Sequence, residues 1–102
     1  MSLQVEILAK ATGAANSSEF EVDARPVTVG MYPEANFAAE TAQLQIKNPD
    51  GTWDDVYDDN GLILLGATRP QETVWGGGTF RLEFIARTSA MGAYQQTGPG
   101  GR

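Results

Sequence analysis

Five aspartates fall within ten residues, Asp50, Asp54, Asp55, Asp58 and Asp59, and no other group in the chain looks more like a chemical site. Calcium is a hard cation that takes several carboxylate and carbonyl oxygens, and such a cluster carries them. The spacing is not that of a calcium-binding loop, however. With Gly61 in the sixth place, the first falls on Val56, and no glutamate stands in the twelfth. The alternative is a pair of solvated turns whose aspartates cap and solubilise, and that reading is adopted. No metal site is assigned, and the five aspartates stand only as candidate ligands. Paired carboxylates also serve glycoside hydrolysis, but that needs a cleft holding two groups in different environments. The chain has no histidine and no cysteine. This excludes Ser-His-Asp and Cys-His nucleophiles, histidine metal sites, disulfides and thiolate zinc. A non-enzymatic protein with no cofactor is expected.

The aromatic residues Tyr32, Trp53, Tyr57, Trp75 and Tyr94 are a second kind of chemistry, since their faces can stack on sugars. Tryptophans on strands more often pack in cores. Trp75 lies beside Gly76-Gly77-Gly78 and is expected to be the more exposed of the two tryptophans. The glycine triplet is followed by neither a helix pattern nor a lysine, so it reads as a hairpin tip and not a phosphate cradle. Formal net charge is −6, and the arginines (Arg25, Arg69, Arg81, Arg87, Arg102) are scattered. Nucleic acid is therefore not an expected partner. No apolar run is long enough to cross a bilayer, and no basic segment precedes a hydrophobic one at the N-terminus. No membrane partner is expected, and synthesis in a cytoplasm is.

These groups must be positioned by strands. In 102 residues with 41% apolar content, one domain with a real core is expected. The stretch 41–61 is organised most clearly. Ala42, Leu44 and Ile46 alternate with Gln43, Gln45 and Lys47, the period of a strand with one buried face. Asn48-Pro49-Asp50-Gly51 then has turn chemistry at every position, and Asn60-Gly61 is a preferred type I′ pair. Two linked hairpins follow, with Trp53 as their apolar anchor. Elsewhere, Leu3, Val5, Ile7 and Ala9 alternate, as do Phe20, Val22 and Ala24, then Val27, Val29 and Met31 after Pro26. Residues 32–40 offer the one plausible helical turn, with Phe37 as its core contact. Leu62 to Leu65 form a continuous apolar run, expected to be covered on both sides or to lie at an interface. Thr73-Val74-Trp75 precedes the glycines, and residues 79–87 make a last strand with Phe80, Leu82, Phe84 and Ala86 on one side. Ser89 to Arg102 become glycine-rich and read as flexible.

The expectation is an all-β fold: a small antiparallel β-sandwich or barrel of about seven short strands with flexible terminal arms. Residues 1–88 form the domain and 89–102 a C-terminal arm. A sandwich buries one face per sheet, so the surplus apolar side of residues 62–65 points to self-association. Leu62, Leu64 and Trp75 are the residues expected to serve it, and the arm from Tyr94 to Arg102 is expected to anchor.

The middle of the chain resembles small β-structured virion proteins of tailed bacteriophages. The resemblance rests on Ala42-Gln43-Leu44-Gln45-Ile46, on Asp50-Gly51-Thr52-Trp53-Asp54-Asp55-Val56 after a turn, and on Gly78-Thr79-Phe80-Arg81-Leu82. It spans roughly residues 20–85. It implies a structural protein of the particle, most plausibly a capsid decoration (cement) protein located in the virion. Such proteins commonly bind major capsid protein subunits as homotrimers. A tail or neck component is the alternative within the class, and a carbohydrate-binding module the alternative outside it. The family carries no catalytic motif.

Overall fold

Alternation of apolar and polar side chains builds two antiparallel sheets that bury their apolar faces against each other. The computed structural model describes residues 4–33, 40–59, 61–67, 69–87 and 89–97. The first sheet contains β1 (Gln4–Ala11), β4 (Val27–Pro33), β10 (Gln71–Val74) and β12 (Met91–Thr97), in the order β1-β12-β4-β10. The second contains β2 (Ala15–Asn16), β3 (Phe20–Val22), β5 (Ala42–Lys47), β6 (Trp53–Asp55), β9 (Leu64–Leu65) and β11 (Gly78–Phe84). Its spine is β2-β11-β5-β6, with β3 added on β11 and β9 on β5. A short hairpin, β7 (Tyr57–Asp58) with β8 (Gly61–Leu62), stands apart from both. The architecture is an open sandwich and not a closed barrel.

Register explains the core. Leu82 sits opposite Leu44, Phe84 opposite Ala42, and Phe80 opposite both Ile46 and Phe20. All of these are buried except Ile46, which is half-buried. The Phe20 and Phe80 rings stack with centroids 6.0 Å apart. From the facing sheet come Val27, Val29, Met31, Val74, Met91 and Ala93, all buried. Each such aliphatic or aromatic side chain contributes roughly 1.5–3 kcal/mol on leaving water, which makes this two-layer contact the main source of stability.

The outer face of the first sheet uses two glycines. Tyr94 lies opposite Gly30, and Tyr32 opposite Gly92. A Cβ on Gly30 would come within 2.5 Å of the Tyr94 ring. One on Gly92 would meet both the Tyr32 ring and the Leu8 carbonyl at 2.8 Å. Each tyrosine therefore lies flat across the opposing strand and fills the space that the glycine leaves, the pairing known as aromatic rescue.

Arg87 closes one end of the sandwich. It is buried, and its guanidinium fans over four backbone carbonyls: Met91 at 2.7 Å, Gly13 at 2.8 Å, Ala9 at 3.2 Å and Thr12 at 3.4 Å. The Gly13 N–H donates back to the Arg87 carbonyl at 2.9 Å. One side chain thus ties β1, the turn after it and β12 together.

Several expectations are corrected. Residues 91–97 are not a flexible arm but a strand between β1 and β4, so residue 88 does not divide a domain from a tail. Residues 98–102, including Arg102, lie outside the described residues. Strand β11 ends at Phe84, which leaves Ala86 exposed and turns Arg87 inward. The expected helical turn begins inside β4, with Tyr32 and Pro33, and its remainder through Phe37 to residue 39 lies outside the described residues. Trp53 is not a core anchor. It stands half-buried on the outer face of the second sheet, 4.3 Å from the Arg81 guanidinium and 5.9 Å from Lys47 Nζ. Its partner across the strands is Lys47, and Lys47 faces out because Ile46 faces in.

Candidate functional site

A cavity of about 410 Å³ opens between the two sheets where β10 ends and the β7–β8 hairpin approaches it. Its floor is apolar, made by Leu44 and Ile46 of β5 and Phe80 of β11. Val56, Ile63 and Val74 form its walls. The local sequence keeps this mouth open. Gly76, Gly77 and Gly78 hold φ of +94°, +80° and +127°, a run of left-handed backbone that side-chain-bearing residues rarely adopt. The tip between β10 and β11 consequently has no side chains to fill the opening. Trp75 edges it and is 69% exposed.

The polar part of the rim is Asp58 and Glu72, joined by Arg69. Arg69 Nε donates to Glu72 Oε1 at 2.9 Å, and Nη2 reaches both Glu72 and Asp58 Oδ2, the latter at 3.2 Å. Glu72, and then Asp58, push the guanidinium pKa upward by accepting these hydrogen bonds. The pairs are partly exposed, so they act as a positional brace more than as a source of stability. An apolar cavity rimmed by a few fixed polar groups and one exposed indole can take an apolar side chain or small apolar group.

The residues singled out from sequence do not converge. Residues 62–65 do not run as one covered strand. Ile63 and Leu65 point inward, Leu62 is half-buried opposite Tyr57, and Leu64 is exposed opposite Gln43. Leu64 therefore lies on the outer face of the second sheet and Trp75 at the cavity mouth. Tyr94 is on the outer face of the first sheet, where its hydroxyl donates to Gln71 Oε1 at 2.9 Å. The five aromatics proposed as a sugar platform are likewise dispersed. Tyr32 and Tyr94 do pair, with centroids 6.1 Å apart. Burial, reinforced by its hydrogen bond to Glu6 and that residue's charge, pushes the Tyr32 hydroxyl pKa up to about 12. Burial also raises that of Tyr94.

The aspartates are used one by one. Asp50 closes its own turn by accepting the Thr52 hydroxyl at 2.7 Å and the Thr52 N–H at 3.0 Å, and these bonds hold its carboxyl below the ordinary range. Asp54 accepts from Asn48 Nδ2 at 3.0 Å, Asp55 from Gln45 Nε2 at 3.0 Å, and Asp58 from Arg69. Asp59 is exposed in the hairpin turn. Asp58 pairs with Gly61, so that turn falls one residue earlier than the Asn60-Gly61 pair suggested; Asn60 itself lies outside the described residues. Among the described residues, no three acidic, histidine or cysteine side chains are grouped to hold a metal.

The sequence reading missed the cavity and its rim. The available signal was Gln71-Glu72-Thr73-Val74, whose alternation puts a carboxylate on the same face as a core valine. It also missed the outer-face network of the second sheet, where Arg81 Nε donates to Gln45 Oε1 at 2.8 Å. Gln45 Nε2 in turn donates to Asp55 and to Glu83, the latter at 3.2 Å.

No protein-family model matches the chain, and no curated protein matches it. Among solved structures, the fold is similar to the crystal structure of the SPBc2 prophage-derived protein YomS, with a TM-score of 0.63. The alignment covers 95% of this chain and 92% of that one at 13% identity. What the two chains share at that identity is the fold, over nearly their whole lengths.

Proposed function

We propose that this chain is a non-enzymatic structural protein of a phage particle, and most concretely a capsid decoration protein that binds and stabilises the assembled shell. The observation that carries this reading is the near full-length likeness in fold to a prophage-derived protein. One feature of the molecule supports it: the apolar cavity beside Trp75, whose indole is exposed, is a place where a neighbour's side chain can be held.

The mechanism is mass action. A protein that binds assembled capsid subunits and not separated ones stabilises the shell in proportion to the logarithm of its concentration over Kd. The gain is about 2.7 kcal/mol per site at a hundredfold excess over Kd. Copies associated as a trimer would add avidity without any new contact. Cosedimentation of the purified protein with emptied phage shells, alongside light scattering of the protein alone, tests the reading. Saturable pelleting with shells is expected, with an oligomer mass in solution. A monomer that stays in the supernatant at every shell concentration refutes it.

A further inference from the structure

The edges of the two sheets are not equally protected. Strand β1, one edge of the first sheet, breaks register between Glu6 and Leu8 and again between Leu8 and Ala11. Such irregularities discourage the addition of another strand. In the second sheet, β2, β3 and β6 are each two or three residues long. Strand β10 differs: all four of its residues pair with β4 in unbroken register. Among the described residues no strand pairs with its other side.

The hydrogen-bond phase of that edge can be read. The Met31 N–H donates to the Pro70 carbonyl at 2.9 Å, which makes Gln71 and Gly30 a non-hydrogen-bonded pair. Thr73 and Thr28 are then the next such pair, and their hydroxyls meet at 3.1 Å as the closer spacing allows. The N–H and C=O of Gln71 and Thr73 are consequently turned toward the open edge. Glu72 and Val74, on the inward face of the same strand, border the cavity.

From this we infer that β10 is an acceptor edge for an extended segment of a partner protein, which adds as a fifth strand of the first sheet. It inserts an apolar side chain into the cavity and places a lysine or arginine at its rim. Strand addition takes its affinity from main-chain hydrogen bonds and its specificity from pockets that receive alternate side chains. The cavity supplies such a pocket. The charge preference follows from the rim, where two carboxylates, Asp58 and Glu72, lie together beside Arg69, on a chain of net charge −6. Trp75 at the mouth stacks on whatever enters, including a cationic side chain. The inference rests on the docking reading above, and it specifies the edge and the chemistry of the segment.

The test uses the full chain, uniformly ¹⁵N-labelled, and a panel of short alternating peptides. Each peptide has a central leucine, phenylalanine or methionine and either lysines or glutamates at its flanks. Lysine-flanked members are expected to bind at least tenfold more tightly than glutamate-flanked ones and to shift the Gln71 and Thr73 amides. Glu72→Lys, at a half-buried rim position outside the hydrophobic core, is expected to reverse the preference. Equal binding of the two flank types, or shifts confined to other strands, overturns the inference. So does protection of the Gln71 and Thr73 amides that grows with protein concentration in the absence of peptide, because a second copy is then the occupant. Shell cosedimentation separates the two proposals. If Glu72→Lys and Thr73→Pro pellet with shells as the unaltered chain does, the edge assignment fails while the particle reading stands. If peptides bind as expected and shells do not, the reverse holds.

Discussion

Replacing Arg87 by methionine should remove more stability than any other single polar substitution. The side chain is buried and donates two short hydrogen bonds, to Met91 at 2.7 Å and Gly13 at 2.8 Å. Bonds to charged groups contribute about 1.5–3 kcal/mol each, so these two together account for roughly 3–6 kcal/mol. The longer contacts to Ala9 and Thr12 add little. Against this, methionine relieves the cost of burying a cation and keeps an apolar stem near the Phe84 ring. The net expectation is a loss of about 3 kcal/mol. For a chain of this size that lowers Tm by roughly 12–24 °C. Urea unfolding followed by tryptophan fluorescence and by circular dichroism measures it, provided the two probes coincide. Arg87→Lys offers a compact ammonium that cannot span the fork of carbonyls, and it should recover at most about half of the loss. A loss under about 1 kcal/mol for methionine, or full recovery by lysine, would show that the carbonyl fan is not what holds that end of the sandwich together.

Gly92→Ala should cost about 1–3 kcal/mol, because its Cβ meets the Leu8 carbonyl as well as the Tyr32 ring, and backbone yields less readily than a side chain. Gly30→Ala should cost less, since the Tyr94 ring alone must move; thermal melts of the two variants rank them. Trp75→Ala should change stability by no more than about 0.5 kcal/mol, because the indole is 69% exposed, yet abolish shell cosedimentation. On the alkaline side, raised folded-state pKa values mean that Tyr32 and Tyr94 keep their protons after the unfolded chain has lost them. Their contribution is present below about pH 10 and is lost as pH rises toward about 12, the Tyr32 value. Melting at stepped alkaline pH should show this decline, and Tyr32→Phe should flatten part of it. Asp50 works the other way: its lowered pKa makes its contribution fade as pH falls below the ordinary carboxylate range, which Asp50→Asn should abolish in acid melts.

What could be read in the sequence was local. The alternation in Ala42 to Lys47 and in Phe80 to Phe84 identifies inward faces because each strand's own pattern matches its burial. The turn at residues 48–51 formed for the same reason: the Gly51 N–H reaches the Asn48 carbonyl at 2.9 Å. Met91-Gly92-Ala93-Tyr94-Gln95-Gln96-Thr97 gave no such pattern. Its glycine and glutamines suit a loop until Tyr32 of another strand is laid across Gly92, and that is a fact of pairing and not of composition. Trp53 misled for a related reason. Its size argues for the core, but its register opposite Lys47 puts it outside, where Arg81 covers it. The cavity could not be read at all, because its lining comes from residues 44 to 80 and depends on how strand ends meet.

The position of β12 between β1 and β4 has a temporal consequence. Ala11 pairs with Met91 and Gln4 with Gln96, so β1 has no sheet partner until β12 leaves the ribosome. Contacts of that sequence separation slow folding, since the long loop must be closed before its pairing rewards the chain. The second sheet, built from β5, β6, β9 and β11, can assemble earlier in synthesis. During the interval, β4 holds an apolar face and a bare edge on the side that β12 will fill, a combination that invites pairing between nascent chains. In the cell, the yield of this protein should therefore be governed by how quickly β12 arrives.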